Sequence, residues 1–127
     1  MTVHLDTSVL VDALTGRRRS FAALERTVAR GHVIATSALA LYEWLRGPRT
    51  PEELDDQEAL LPSTDARGFG PAEAARAAAL YRIVKRARGR DMDIAIAACA
   101  LEHGAHVWTL NPDDFKDLPE LKLYGPA

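Results

Sequence analysis

Four acidic residues stand out in this sequence: Asp6, Glu43, Asp93 and Asp114, each near a point where a strand or helix is expected to begin or end. Three of them lie in apolar surroundings, where an isolated carboxylate is costly to bury, so the set needs something to neutralise it. A divalent cation is the simplest such partner. Carboxylates crowded together repel and favour protonation unless a cation intervenes, and an all-oxygen site completed by water suits Mg²⁺ or Mn²⁺. Such a metal activates water and stabilises the oxygens of an in-line displacement at phosphorus, a two-metal form being one option.

Each acid also has a plainer reading. Asp6 fits a helix N-cap after a strand, and Asp93 fits a residue complementing a helix N-terminal dipole. Asp114 fits a turn that follows Pro112, and Glu43 an exposed helical glutamate, although Tyr42, Trp44 and Leu45 crowd it. The four together, in a consistent structural setting, favour a site over four coincidences. His4, His32, His103 and His106 show no metal-ligand spacing, which argues against zinc.

The elements that must position these acids alternate between strand and helix, the pattern of a parallel α/β sheet. Strands are predicted over 3–5, 33–35 and 106–109, with a last one over 121–124 and a short edge strand near Phe69. Helices are predicted over 7–14, from a Ser20 cap to about residue 30, over 38–46 after a Thr36-Ser37 cap, and over 51–60. Two more follow over 71–88 and 92–103, the second closed by Gly104. In an open parallel sheet, ligands sit beyond the carboxyl ends of the strands. Asp6 ends the first strand, and Asn111 and Asp114 follow the strand ending near Thr109, so neighbouring positions for these strands bring them to one edge. Asp91 and Asp93 lie two residues apart on a helix, roughly 200° around it, so only one faces the pocket. Asp93 is the choice, because it shares a face with the small residues Ala97 and Ala100, whereas Asp91 follows Arg88-Gly89-Arg90 as a cap or pre-helical turn.

Length and composition bound the rest. At 127 residues and 47% hydrophobic, the chain has room for one domain with a real core. Sixteen Lys+Arg against 18 Asp+Glu give a net charge of -2, so attraction to nucleic acid must come from a local patch. The candidates are Arg17 to Arg19 and the set Arg82, Lys85, Arg86, Arg88 and Arg90, each of which also fits a solvated surface. The single cysteine, Cys99, lies in an apolar run, which excludes an intrachain disulfide and fits a small buried residue in a reducing cytoplasm. No charged leader or membrane-length apolar run is seen, so a soluble, non-secreted protein is expected.

Leu5-Asp6-Thr7-Ser8-Val9-Leu10-Val11-Asp12, a helical Glu43, the run from Asp93-Ile94-Ala95-Ile96 to His103-Gly104, and Thr109-Leu110-Asn111-Pro112-Asp113-Asp114-Phe115 together resemble the PIN domain. The resemblance is specifically to VapC-type toxins of bacterial or archaeal toxin–antitoxin pairs, and it covers essentially all of residues 1–127 as a single domain. It implies a PIN-like (5′-nuclease-like) three-layer α/β sandwich with a central, mainly parallel sheet. It also implies a small Mg²⁺- or Mn²⁺-dependent endoribonuclease, usually a homodimer, held inactive by a cognate VapB-like antitoxin. By the resemblance, Asp6, Glu43 and Asp93 match the acidic core and Asp114 the aspartate before phenylalanine in the last motif. Asn111 occupies a position open to a further acid in relatives, so the fourth ligand stays open between Asn111 and Asp114. Ser8, or Thr7, would hold Asp6 by hydrogen bonding.

Two other functions compete with an RNA-cleaving toxin: a non-catalytic PIN-like module that binds RNA or protein, and a metal-dependent phosphatase. Asp6-Thr7-Ser8 lacks the second aspartate of a DxD phosphatase, and metal-dependent cleavage of RNA separates the remaining two. Residues 39–61 carry Leu41, Trp44, Leu45, Leu54, Leu60 and Leu61 on two helices, a groove suited to an amphipathic antitoxin helix. Homodimerisation is expected on another surface, the helix over 71–88.

Overall fold

Three parallel strands, β1 (Thr2–Leu5), β2 (Val33–Ala35) and β3 (His106–Trp108), form a sheet in the order β2-β1-β3. They belong to a computed structural model that describes residues 1–126. Val3 pairs with Ile34 on one side of β1 and His4 with Val107 on the other. The chain therefore leaves β1 in one direction to reach β2 and returns on its opposite edge as β3, which makes the carboxyl end of β1 a switch point of the sheet.

Side-chain alternation along β1 divides the core into two. Val3 and Leu5 enter an apolar cluster with residues of α1 (Thr7–Leu14), α2 (Phe21–Ala29) and α3 (Ala38–Arg46), including Leu10, Leu24 and Trp44. His4 points to the other face, its ring 5.7 Å from that of His103 at the end of α6 (Asp91–Glu102). There Ile94, Ile96, Ala97, Val107 and Phe115 build the second cluster with Leu80 of α5 (Pro71–Ile83). Helices on both faces of a parallel sheet give the expected three layers. Ala97, Ala98 and Ala100 of α6 are fully buried, and their small size lets the helix lie close to the strands.

Local chemistry sets most boundaries. Ser37 accepts a hydrogen bond from the Ala40 amide at the start of α3. Thr50 and Glu53 form a reciprocal capping box, with Pro51 opening α4 (Pro51–Leu60). Other expectations need correction. Ser20 does not cap α2; its backbone is already helical, and its hydroxyl donates to Asp12 at 2.6 Å. The helix predicted over 71–88 ends at Ile83, where Val84 turns extended and Arg86 takes a positive φ. This bend lets Ala87 reach the core, so tertiary packing overrides the helical preference of the basic segment.

The two extra strands shrink to single bridges, Ser37 with Arg67 and Val107 with Leu123. Phe69, between Gly68 and Gly70, stays partly exposed and outside the sheet, and Gly125-Pro126 closes the other segment before a ladder can form. Trp44 overturns part of the expected groove: its side chain is 0% exposed and belongs to the core, with the Arg49 guanidinium 4.2 Å above its ring. Leu61 is buried as well, whereas Tyr42 and Leu45 remain exposed at 54% and 48%. No helix among the described residues is long and apolar enough to cross a membrane.

Candidate active site

Asp6 follows the last residue of β1 and occupies the N-cap position of α1, yet its carboxylate makes no capping bond. Its amide is tied to the Trp108 carbonyl at 2.9 Å, continuing the β1–β3 pairing beyond the strand. The buried carboxylate accepts the hydroxyls of Ser8 at 2.9 Å and Thr109 at 2.8 Å, both on Oδ2. That arrangement fixes the group while Oδ1 keeps its lone pairs for a further partner. Ser8 and Thr109 are themselves held, because the Ser8 Oγ accepts the Leu110 amide and the Thr109 Oγ1 accepts the Asn111 amide, each at 3.0 Å.

Ser8 rather than Thr7 thus holds Asp6. Thr7 reaches the next acid instead, donating to Glu43 Oε1 at 2.7 Å from the first turn of α1 to the middle of α3. The other oxygen of Glu43 faces Arg46 one turn later at 3.4 Å. Thr109 is the residue the sequence reading overlooked. Its signal was a hydroxyl just past β3, in the strand register that places Trp108 beside Leu5 and so Thr109 beside Asp6.

Asp93 lies in the first turn of α6, half-buried. Burial, and then the negative charges of Asp6, Asp114 and Glu43, push its carboxyl up to about 6, against a smaller opposing pull from Arg90. All four predicted acids therefore act on one region. Asp114 is exposed on a short 3₁₀ turn, Pro112–Asp114, which Arg90 anchors: its guanidinium donates to the Asp114 carbonyl at 2.8 Å and grips the Asp117 carboxylate through bonds of 2.6 and 2.9 Å. Asn111 is exposed, and its carbonyl accepts the Asp114 amide at 3.0 Å. Asp91 is the first residue of α6, with Arg90 in the cap position, so it is neither the cap nor the pre-helical turn expected. It is exposed and lines a separate apolar hollow with Phe69, Tyr81 and Ile94.

Among the described residues, no three His, Cys, Asp or Glu side chains stand close enough to enclose an ion as they are placed. The donor chemistry nevertheless suits a hard cation. The groups are all carboxylate oxygens, the charges of the other three act on Asp93, and of the nearest arginines Arg90 is engaged with Asp117 while Arg46 faces Glu43 itself, at 3.4 Å. Of the basic residues singled out in the sequence, Arg90 is spent on this scaffolding, while Arg17 and Arg19 line a cleft of about 640 Å³ beside Thr7 and Ser8.

The family model for the PIN domain matches residues 3–121. In overall structure the chain is similar to VapBC2 from Rickettsia felis bound to a promoter DNA fragment, with a TM-score of 0.77, 23% identity and 98% of each chain covered. It is also similar to a toxin-antitoxin complex from Klebsiella pneumoniae, with a TM-score of 0.72, 26% identity and 98% of each chain covered. FitAcB from Neisseria gonorrhoeae matches with a TM-score of 0.70 and 19% identity over 98% of this chain and 97% of that one. No curated protein matches the chain by sequence.

Proposed function

Because this chain belongs to the PIN domain family, we propose that it is the VapC-type toxin of a toxin–antitoxin pair, a Mg²⁺- or Mn²⁺-dependent endoribonuclease that hydrolyses RNA phosphodiester bonds. The observation that carries this reading is the electrostatic convergence of Asp6, Glu43 and Asp114 on Asp93, at the carboxyl end of the central strand. Asp6, Glu43, Asp93 and Asp114 would hold the metal, which supplies Lewis acidity and a more acidic water when bound. The chain's own contribution is positioning. Ser8 and Thr109 aim Asp6, Thr7 aims Glu43, and Arg90 fixes the turn that carries Asp114. Asn111 enters through its backbone, as the start of that turn.

The solved complexes of similar fold are toxin–antitoxin assemblies, which supports a VapB-like antitoxin as partner. Its docking face is the exposed side of α3 next to Glu43, where Tyr42 and Leu45 offer apolar surface and Trp44 does not. A homodimer would use the hollow containing Phe69 and Tyr81 on the α5 side.

The deciding experiment is cleavage of RNA by purified protein with and without metal. Asp6→Asn is expected to abolish Mn²⁺-supported cleavage and keep the fold, since the amide retains the shape and one acceptor for Ser8 and Thr109. Undiminished cleavage in EDTA by clean protein would reject the mechanism. RNA binding with no cleavage under any metal would instead identify a non-catalytic module.

A further inference from the structure

We propose that Arg17 and Arg19 form a subsite for the backbone of single-stranded RNA, seating phosphates next to the scissile one; the inference rests on the ribonuclease reading and names how that site holds its substrate. The cleft they line contains Thr7 and Ser8, whose hydroxyls are bonded to Glu43 and Asp6, so it adjoins the acidic set directly. The loop between α1 and α2 sorts three consecutive arginines between two directions. Arg18, at a φ of +52°, turns away from the cleft: its Nε donates to the Ala13 carbonyl at 3.3 Å, its guanidinium lies 4.5 Å from the centre of the Phe21 ring, and it faces Asp56 at 3.8 Å. A non-glycine residue in the left-handed region persists only where its surroundings hold it, and these contacts do so. Its neighbours on either side, Arg17 and Arg19, line the cleft and make no ion pair among the described residues.

Charge and shape then indicate the occupant. Asp12 also lines the cleft, but its carboxylate accepts the Ser20 hydroxyl at 2.6 Å, and two guanidinium groups against one carboxylate leave the cleft cationic. A cationic cleft adjoining an acidic, metal-seeking site suits a polyanion that must cross from one to the other, and guanidinium forks match phosphate oxygens. Leu110, 45% exposed on the same cleft, adds an apolar surface for a sugar or base.

The test is fluorescence anisotropy with a labelled single-stranded RNA of mixed sequence in EDTA, where binding is read without hydrolysis. Removal of two phosphate contacts in R17A/R19A should flatten the slope of log K against log salt by about 1.4, so that the parent's advantage shrinks about sevenfold between 50 and 200 mM salt. R17K/R19K should keep most of the slope. An alanine variant with the parent's slope overturns the proposal, and so does a lysine variant that loses as much as the alanine one, since the loss would then be structural. A parent that binds with this slope yet cleaves no RNA in Mn²⁺ leaves the subsite standing and removes the hydrolytic reading. A parent that cleaves while R17A/R19A keeps its slope removes the subsite alone.

Discussion

Replacing Asp93 by asparagine should make the metal-free protein more stable and the metal-loaded one inactive. The carboxyl is held at about 6 against an ordinary 3.8, a difference of roughly two units. At about 1.4 kcal/mol per unit that is near 3 kcal/mol of opposition to the charged form, but the group is half-exposed, and solvent screening reduces the figure to about 1 kcal/mol. The sign follows from the direction of the shift. A carboxyl raised in the folded state keeps its proton there after the unfolded chain has lost it, so it costs nothing below about pH 4, where both states are protonated, and the penalty grows as pH rises to 6 and is complete above that. The asparagine variant escapes this penalty. Thermal melts in EDTA near pH 7.5 should therefore show a rise of about 3–5 °C over the parent, shrinking towards zero near pH 4. Millimolar Mn²⁺ should stabilise the parent and leave Asp93→Asn nearly unmoved, with RNA cleavage lost. Equal melting temperatures in EDTA at pH 7.5, or equal stabilisation by Mn²⁺, would refute the claim that four carboxylates converge on a cation site.

Thr109→Val removes one of the two hydroxyls on Asp6 Oδ2 and should lower metal affinity or cleavage by 10–100-fold with little change in RNA binding, while Thr109→Ser should restore it. Buried His4 is held down to about 4 by burial first, then by Arg67 and His103, so the stability it permits is complete above about pH 6.5 and falls as pH drops towards 4, by about 3 kcal/mol at most; His4→Leu should flatten that acid limb in urea titrations. Trp44→Ala should cost about 3–5 kcal/mol and compromise folding, whereas Leu45→Asp should leave the melt unchanged and abolish capture of a cognate antitoxin; tight antitoxin binding by Leu45→Asp would show that the docking face lies elsewhere.

What the sequence discloses and what it hides follow from different physics. β1 and α6 are legible because burial imposes a pattern: Val3 and Leu5 alternate with His4, and the run from Ile94 to Ala100 is apolar throughout. Helix α4 announces itself by chemistry that acts within four residues, Thr50, Pro51 and Glu53. The end of α5 is not local in this sense. Nothing in the segment after Ile83 opposes a helix strongly, and the turn is set by Ala87 entering a core assembled from distant residues and by Arg90 reaching Asp117. Trp44 illustrates the same limit at a single position. An aromatic residue on a short helix reads equally well as core or as docking surface, and only the packing of α3 over β1 assigns it. In the site, the acid types were readable and their supports less so. Ser8 and Thr7 lie next to Asp6 in sequence but serve different acids, because successive helical positions point about 100° apart and α3 happens to lie on the Thr7 side.

The fold tolerates this much uncompensated charge because the acids are distributed over elements that are rigid for other reasons. Asp6 sits where parallel pairing of β1 with β3 continues through its own amide, and Asp93 lies in the first turn of a helix that is buried from Ile96 to Ala100. Glu43 rides on a helix fixed by Trp44, and Asp114 on a turn that Arg90 fastens to the start of α6. The backbone that carries each acid is thus held by core packing or by the Arg90 hydrogen bond, and burial together with the charges of Asp6, Asp114 and Glu43 raises the carboxyl of Asp93. A cation held there, as proposed above, would compete with the proton that Asp93 takes up below about pH 6. Metal affinity should accordingly fall as pH drops below about 6, the range in which Asp93 takes up its proton.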